Sequence, residues 1–404
     1  MSIVVQKYGG SSVADVTRIR QVAERVVRTS RQGHQVVVVV SAMGDTTDTL
    51  LALAKEVSPN PERRELDMLL TAGERISMAL LSMAIRQLGG DAISFTGSQS
   101  GIITNDRHVD ARIVEVRPYR VQDELARGKI VVIAGYQGVS YKREVTTLGR
   151  GGSDTTAVAM AAALGADYCE ICSDVDGVYT ADPRIVPQAQ RIGTLSYEET
   201  QELAEAGAKV LNAQAVEFAK ERDIAIYARA TASPLPGNDP AADGTVVRKH
   251  PPRMPGTVVG VASERDTLLL RFDGAVEPIQ NGSGTELLAL LDKYGVAGKQ
   301  LHQIGERLTL IISRDNLHEE SRVRNALAGR FGSAIRLTDE LGALSVVGSG
   351  INASFENLRR GSRALEEAGL VPRAVATSSF RITWMIERTR LDDGVRLLHR
   401  TFLP

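Results

Sequence analysis

Between Gly149 and Arg184 the chain reads GRGGSDTTAVAMAAALGADYCEICSDVDGVYTADPR: a glycine-rich turn entering a small-residue helix, then a strand, then a cluster of acids that closes on an arginine. A second glycine turn, KYGGSS at Lys7 to Ser12, directly follows the first apolar strand. Glycine lets backbone N–H donors approach a phosphate closely, because it lacks Cβ and tolerates positive φ. Gly9, Gly10, Gly151 and Gly152 meet that need. Where a turn opens into a helix, the unpaired N–H groups and the dipole add positive potential, and Ser153-Asp154-Thr155-Thr156 offers an N-cap. Lys7, beside Gly9, is placed to offset charge building on a phosphoryl group in transit. The chemistry indicated is phosphoryl transfer to a small molecule. Neither G-x-x-x-x-G-K-[ST] nor the H-R-D and D-F-G pair occurs, which excludes two common nucleotide-binding designs.

The elements that must position these turns alternate. Apolar periodicity predicts strands over Ile3–Gln6, Gln35–Val40, Ala92–Phe95, Ile113–Val116, Lys129–Gly135, Asp167–Cys172 and Ile224–Ala228. Helices are expected over Asp15–Thr29, Asp45–Glu56, Glu62–Leu88, Thr155–Leu164, Tyr197–Glu205 and Ala208–Lys220, with a hairpin over Val139–Thr147. That alternation implies a mostly parallel sheet covered by helices, with ligand loops at the carboxyl ends of its strands. From Ser233 to Pro255 the composition turns proline-rich, which reads as a linker. The catalytic domain is therefore expected over 1–232 and the linker over 233–256. Beyond it lie two small α+β modules of the order strand, helix, strand, strand, helix, strand, over 257–341 and 342–404, the second drawing its first strand from the region of the first.

With 48 Lys plus Arg against 49 acids and no block of like charge, nothing suggests a nucleic-acid surface or a polybasic membrane patch. The Val36–Val40 run, like every other unbroken apolar run, is far short of the roughly 20 residues that span a bilayer. The opening MSIVVQKYGG lacks a secretory signal, so a cytoplasmic protein is expected. Cys169 and Cys172 have CxxC spacing, but they fall within a strand rather than at a helix start, and no second Cys or His pair completes a zinc site. Packing accounts for them better than redox or metal chemistry.

KYGGSS, SAMGDTTD at Ser41–Asp48, LLTAGERIS at Leu69–Ser77, SFTGSQ at Ser94–Gln99, GRGGSDTTA and SDVDGVYTADPR together resemble the aspartate kinases of the amino-acid kinase superfamily, almost continuously from Val4 to Ala230. The resemblance implies ATP-dependent phosphorylation of the side-chain carboxylate of L-aspartate, giving 4-phospho-L-aspartate and ADP, with Mg²⁺. It assigns Ser41, Thr47, Glu74, Arg150, Gly151, Gly152 and Ser153 to the substrate, Glu74 taking the ammonium and Arg150 the carboxylate. It assigns Lys7, Tyr8, Gly9, Gly10, Ser173, Asp174, Tyr179, Asp182, Arg184 and Lys209 to the nucleotide. Lys7, Arg150 and Asp154 are the expected catalytic residues. Thr47 is also compatible with a helix cap and Glu74 with a surface acid, and the metal-binding acid is not readable. Phosphorylation of another acid or carbamate, and a catalytically silent amino-acid sensor, are the competing functions.

The same resemblance implies paired C-terminal ACT modules that dimerise and bind lysine or threonine. Val346–Glu387, with its TSSFRI strand, resembles the second module. The first diverges: RFDGAVEPIQNGSGTELLALL and YGVAGKQLHQIG lack the Pro-Gly and asparagine pair of effector-sensitive relatives, leaving Asp273, Asn281 and Gly282 as partial substitutes, and the second module has Pro372 and Arg373 at its corresponding strand. Feedback by lysine and threonine is expected to be lost or altered, with the modules still serving a homo-oligomer. Met254 lies where some relatives begin a separate regulatory chain.

Overall fold

The computed structural model describes residues 2–149, 151–208, 211–235, 241–249, 253–274, 283–296, 298–314, 317 and 319–403. The chain divides into two compact units, one of residues 1–179, 191–204 and 209–252, the other of 180–190, 205–208 and 253–404.

In chain order the first unit contains β1 (Ile3–Tyr8), α1 (Val16–Arg31), β2 (Gln35–Val40), α2 (Thr46–Val57), α3 (Arg63–Gln87), β3 (Ala92–Phe95), β4 (Ile102–Thr104), β5 (Ile113–Val116), α4 (Tyr119–Ala126), β6 (Ile130–Ala134), β7 (Gln137–Ser140) and β8 (Val145–Thr147). There follow α5 (Gly152–Leu164), β9 (Tyr168–Ser173), β10 (Thr194–Leu195), α6 (Tyr197–Glu205), α7 (Ala213–Arg222), β11 (Ala225–Ala230) and β12 (Thr245–Val247). The main sheet has the order β10-β12-β11-β9-β1-β2-β6-β3. From β3 through β11 its neighbours all pair in parallel, as the alternation predicts. A parallel sheet covered on both faces needs strands that are apolar throughout, and QVVVVV in β2 and IVVIA in β6 supply them, nearly every residue buried. Helix α1 packs Ile19, Val22, Ala23 and Val26 onto that sheet. Helix α3 is long and apolar enough, by length and composition, to cross a bilayer, but its Leu66, Leu70, Leu81 and Ile85 are buried within the unit.

Parallel pairing aligns the carboxyl ends of the central strands. Tyr8 stands opposite Val40 and Cys172, Val40 opposite Ala134, and Ala230 opposite Ser173. The loops that leave these strands therefore share one edge. Beneath it, Glu170 on β9 accepts from Gln6 Nε2 at 2.6 Å and from Arg25 NH2 at 3.1 Å, all three buried. Arg25 also donates to the Ser233 carbonyl, fixing the chain that follows β11.

A smaller sheet, β5-β4-β7-β8, carries the hairpin that leads into the second glycine turn. Strands β4 and β12 and helix α4 lie outside the predicted elements, because three-residue strands and an eight-residue helix carry too little periodicity. Strand β12 falls inside the proline-rich stretch: its β-branched Thr245, Val246 and Val247 pair antiparallel with β11. Helix α7 starts at Ala213, later than predicted, because Asn212 accepts from Gln214 N and Ala215 N and so ends the loop before it.

The second unit contains β13 (Gly260–Glu264), β14 (Thr267–Asp273), α8 (Ser283–Lys293), β15 (Gly298–Ile304), β16 (Arg307–Ser313), α9 (Glu320–Phe331), β17 (Ile335–Thr338), β18 (Leu341–Val347), α10 (Glu356–Glu367), β19 (Ala374–Thr377), β20 (Arg381–Glu387) and α11 (Leu391–Phe402). Strands β14 to β17 form one antiparallel sheet, β15-β16-β14-β17, and β13 joins the other, β13-β18-β20-β19. These are the α+β, ACT-like modules. The first has the predicted order of elements. The second has no strand after α11 among the described residues, and β13, from upstream of the first module, completes its sheet. Segment 180–190 contributes Ala181 and Val186 to the second module's core, beside Val395 and Leu398 of α11.

Candidate active site

Lys7 is the penultimate residue of β1, and its Nζ lies 2.6 Å from Asp154 Oδ1, an ion pair without hydrogen-bond angles. Both side chains are about nine-tenths buried, at 12% and 11% exposure. Gly9 lies directly beside this ammonium, where a Cβ would make an ordinary contact with Lys7 Nζ at 3.5 Å. At Gly10 a Cβ would come within 2.9 Å of the Ala42 carbonyl oxygen, so only glycine allows the two loops to meet. Two expectations change here. The Gly9 N–H donates to the Cys172 carbonyl at 3.2 Å, which removes it as a phosphate donor. The Tyr8 ring is fully buried in the core with its hydroxyl on Gln6 Oε1 at 3.3 Å, because alternation along β1 turns it away from the face that Lys7 takes.

The second turn is built on left-handed glycines, Gly149 at φ 72° and Gly151 at φ 76°. Helix α5 begins at Gly152 with Gly151 as its N-cap and no side-chain cap. Ser153, Asp154, Thr155 and Thr156 are thus the buried first turn of the helix, not its cap, and Thr156 Oγ1 donates back to the Gly152 carbonyl at 2.9 Å. A Cβ on Gly151 would lie 2.4 Å from Asn212 Nδ2, and one on Gly135 would lie 2.7 Å from Ser153 Oγ. The N-terminus of α5 therefore abuts the end of β6 and adds its partial positive charge to that edge. Arg150 and Lys209 lie outside the described residues.

Glu74 is buried, not a surface acid. Its neighbour Gly73 allows α3 to close on the loop after β2, since a Cβ there would meet Ala42 Cβ at 2.7 Å. Glu74 Oε1 accepts from Ala42 N at 3.1 Å, while Oε2 is buried with no hydrogen-bond partner among the described residues. Burial pushes this carboxyl up to about 7. Ser77 Oγ donates to the Ser41 carbonyl at 2.7 Å, so α3 holds both Ser41 and Ala42. Thr47 is the half-buried second residue of α2, whose N-cap is Asp45; the cap reading of Thr47 does not apply.

At the end of β9 the Ser173 carbonyl accepts from Thr231 N at 2.9 Å, and Asp174 is exposed. Tyr179 donates its hydroxyl to Asp176 Oδ1 at 2.8 Å, and Arg191 reaches Asp176 Oδ2 at 3.0 Å. Asp182 and Arg184 belong to the second unit, where they pair with each other, Arg184 NH2 to Asp182 Oδ2 at 2.7 Å. The first unit thus gathers Lys7, Gly9, Gly10, Ser41, Glu74, Gly151, Gly152, Ser153, Asp154 and Ser173 along one sheet edge. Sequence reasoning missed Asn212, Asp67 and Asp176. Only Asn212 carried a signal, as a cap residue ahead of an apolar helix. Cys169 and Cys172 are free and buried, and burial pushes the Cys172 thiol up to about 12, which leaves both inert.

A parallel α/β sheet whose carboxyl edge presents a buried ammonium, a helix N-terminus and glycine turns is a scaffold for phosphoryl transfer without a Walker loop. The chain belongs to the amino acid kinase family, whose model matches residues 2–228. It is 46% identical to the aspartokinase of Mycolicibacterium smegmatis over 411 aligned residues, covering 100% of this chain and 96% of that one. Among solved structures it resembles aspartate kinase from Synechocystis, with 36% identity, a TM-score of 0.55 and coverage of 99% of this chain and 69% of that one. It shares its fold with E. coli aspartokinase III in complex with aspartate and ADP, with a TM-score of 0.84, 24% identity and full coverage of both chains. Within the family, the chain falls among the aspartokinases.

Proposed function

We infer that this chain transfers the γ-phosphoryl group of ATP to the side-chain carboxylate of L-aspartate, giving 4-phospho-L-aspartate and ADP. The observation that carries the substrate reading is Glu74: a carboxylate buried beside the sheet edge with one oxygen unpartnered. Such a group is costly unless a cation meets it, and the ammonium of an amino acid supplies that cation. The acceptor carboxylate, with an ordinary pKa near ~3.9, is already ionised at neutral pH, so no general base is required. Catalysis reduces to aligning two anions and offsetting their repulsion. Lys7, held by Asp154, is the buried charge placed to do so. The N-terminus of α5 adds its dipole, and Arg150 is assigned the substrate carboxylate bidentately.

The nucleotide is assigned to the loops after β1 and β9, with Lys7, Gly10, Ser173, Asp174 and Tyr179, and to Lys209. No group of three metal-ligating side chains occurs among the described residues. Mg²⁺ would be held on phosphate oxygens and water, with Asp154 or Asp174 as the available carboxylate, and would neutralise phosphate charge there. We place the enzyme in the cytoplasm as a homo-oligomer joined through its ACT-like modules. Lysine and threonine feedback is proposed to be lost or altered. Asp273 is engaged by Arg307 at 3.1 Å, and Asn281 and Gly282 lie outside the described residues. Cooperative inhibition by the two amino acids together would contradict that regulatory proposal. The function is tested by aspartate-dependent ADP release with hydroxylamine trapping of the acyl phosphate; absence of aspartate-dependent product overturns it.

A further inference from the structure

We propose that Asp67, acting with His108, is a positioning residue that sets Gly149, where the turn into α5 begins, so that helix α3 fixes both ends of the substrate site. The inference rests on the reading above, in which Glu74 takes the substrate ammonium and this turn takes its carboxylate.

Asp67 is fully buried on α3. Its Oδ1 accepts from Thr147 Oγ1 at 2.6 Å and from Val109 N at 3.0 Å, and its Oδ2 faces His108 Nδ1 at 2.6 Å. One carboxylate thus joins three elements: the helix, the last residue of β8, and the loop between β4 and β5. Val109 sits at φ 72°, a left-handed conformation that a β-branched residue adopts only under constraint. The constraint is visible, since the Val109 N–H is itself bound by Asp67 and the Ala111 N–H donates to the Thr147 carbonyl at 2.8 Å.

The strained loop in turn walls the glycine turn. A Cβ on Gly149 would lie 3.1 Å from Asp110 Oδ1 and 3.5 Å from the Val109 carbonyl oxygen. Thr147 is two residues upstream of Gly149, so the Asp67 bond fixes the strand end from which the turn departs. Asp67 and Glu74 are seven residues apart, two turns of helix and about 10 Å along one face. Their spacing on a rigid helix therefore sets the spacing between the ammonium seat and the carboxylate turn.

The test is steady-state kinetics on the full chain with Asp67→Asn, Thr147→Val and the pair combined, each variant first shown to be folded by its thermal transition. Both single variants are expected to raise KM for aspartate about tenfold, with KM for ATP within about twofold of wild type. The double variant should be little worse than the worse single, because Asp67→Asn weakens and Thr147→Val removes the same contact between α3 and the end of β8. His108→Gln should give a smaller rise in the same constant. Unchanged KM for aspartate in folded, active variants overturns the inference alone, as does an equal rise in both KM values, which signals general loosening. Absence of aspartate turnover in the wild type overturns the functional reading and this inference together. Thr147→Val, a shape-conserving change, keeps the test decisive if Asp67→Asn fails to fold.

Discussion

Asp67 and Glu74 share one face of α3, and both are buried, but they meet opposite surroundings. Asp67 is saturated by a hydroxyl, an amide and an imidazole, all from its own chain. Glu74 accepts from one backbone amide on one oxygen and, among the described residues, has no hydrogen-bond partner on the other. A buried carboxylate whose partners are complete is part of the framework; one left half-satisfied is held ready for a partner that arrives from outside. Asp154, paired with Lys7, stands between these cases.

The sharpest test of that ordering falls on the Lys7–Asp154 pair. Lys7→Ala should lower kcat by about 10²–10³-fold with little change in KM for aspartate; turnover near that of wild type would class the pair with Asp67 as framework. Glu74→Ala comes next. It should raise KM for aspartate by about 10–10²-fold and spare KM for ATP, because a charge-assisted contact to the ammonium is lost. A KM for aspartate equal to wild type would break the comparison outright.

The pH dependence sharpens it further. In the free enzyme, burial raises the Glu74 carboxyl from 4.5 to about 7. Its folded form therefore holds a proton that the unfolded form releases between those values, and the stability this confers is present below 4.5 and lost as pH rises toward 7. The loss amounts to about 3 kcal/mol at most, and Glu74→Gln should lack it in denaturant titrations across that range. Proton and ammonium compete for the same carboxylate, so KM for aspartate should climb by up to about tenfold per unit below pH 7. Flat pH profiles would contradict the assignment.

The smallest effect is expected at Gly73. In Gly73→Ala, better helix propensity, about 1 kcal/mol, opposes the overpacking against Ala42, about 1–3 kcal/mol. Net stability should move little while KM for aspartate rises a few-fold, as α3 is pushed from the Ala42 amide that holds Glu74. Unchanged KM with a lowered Tm would assign Gly73 to packing alone.

Much of the frame was legible in the chain. Val-rich runs in β2 and β6 and long amphipathic patterns in α1 and α3 report burial directly, and GRGGSD announces a turn into a helix. What remained hidden depended on distant partners. The α5 start is set by a left-handed Gly151, not by the hydroxyl run that looks like a cap. Tyr8 adjoins Lys7 in sequence, but the pleat sends the two to opposite faces, so a contiguous motif does not imply a contiguous site. Asp67 and His108 had no local signature at all, since their relation exists only once α3, β8 and a strained loop converge.

One connection bears on how this enzyme is divisible. The chain passes between its two units after residues 179, 190, 204, 208 and 252, and 180–190 lends Ala181 and Val186 to the core of the second module. No single cut yields two whole parts. A catalytic fragment ending near residue 252 would keep an apolar segment stripped of its packing partners, and a hybrid that exchanges only the C-terminal modules with those of a relative would inherit a mismatched core. The unit of inheritance, and of any transplant, includes that eleven-residue loan.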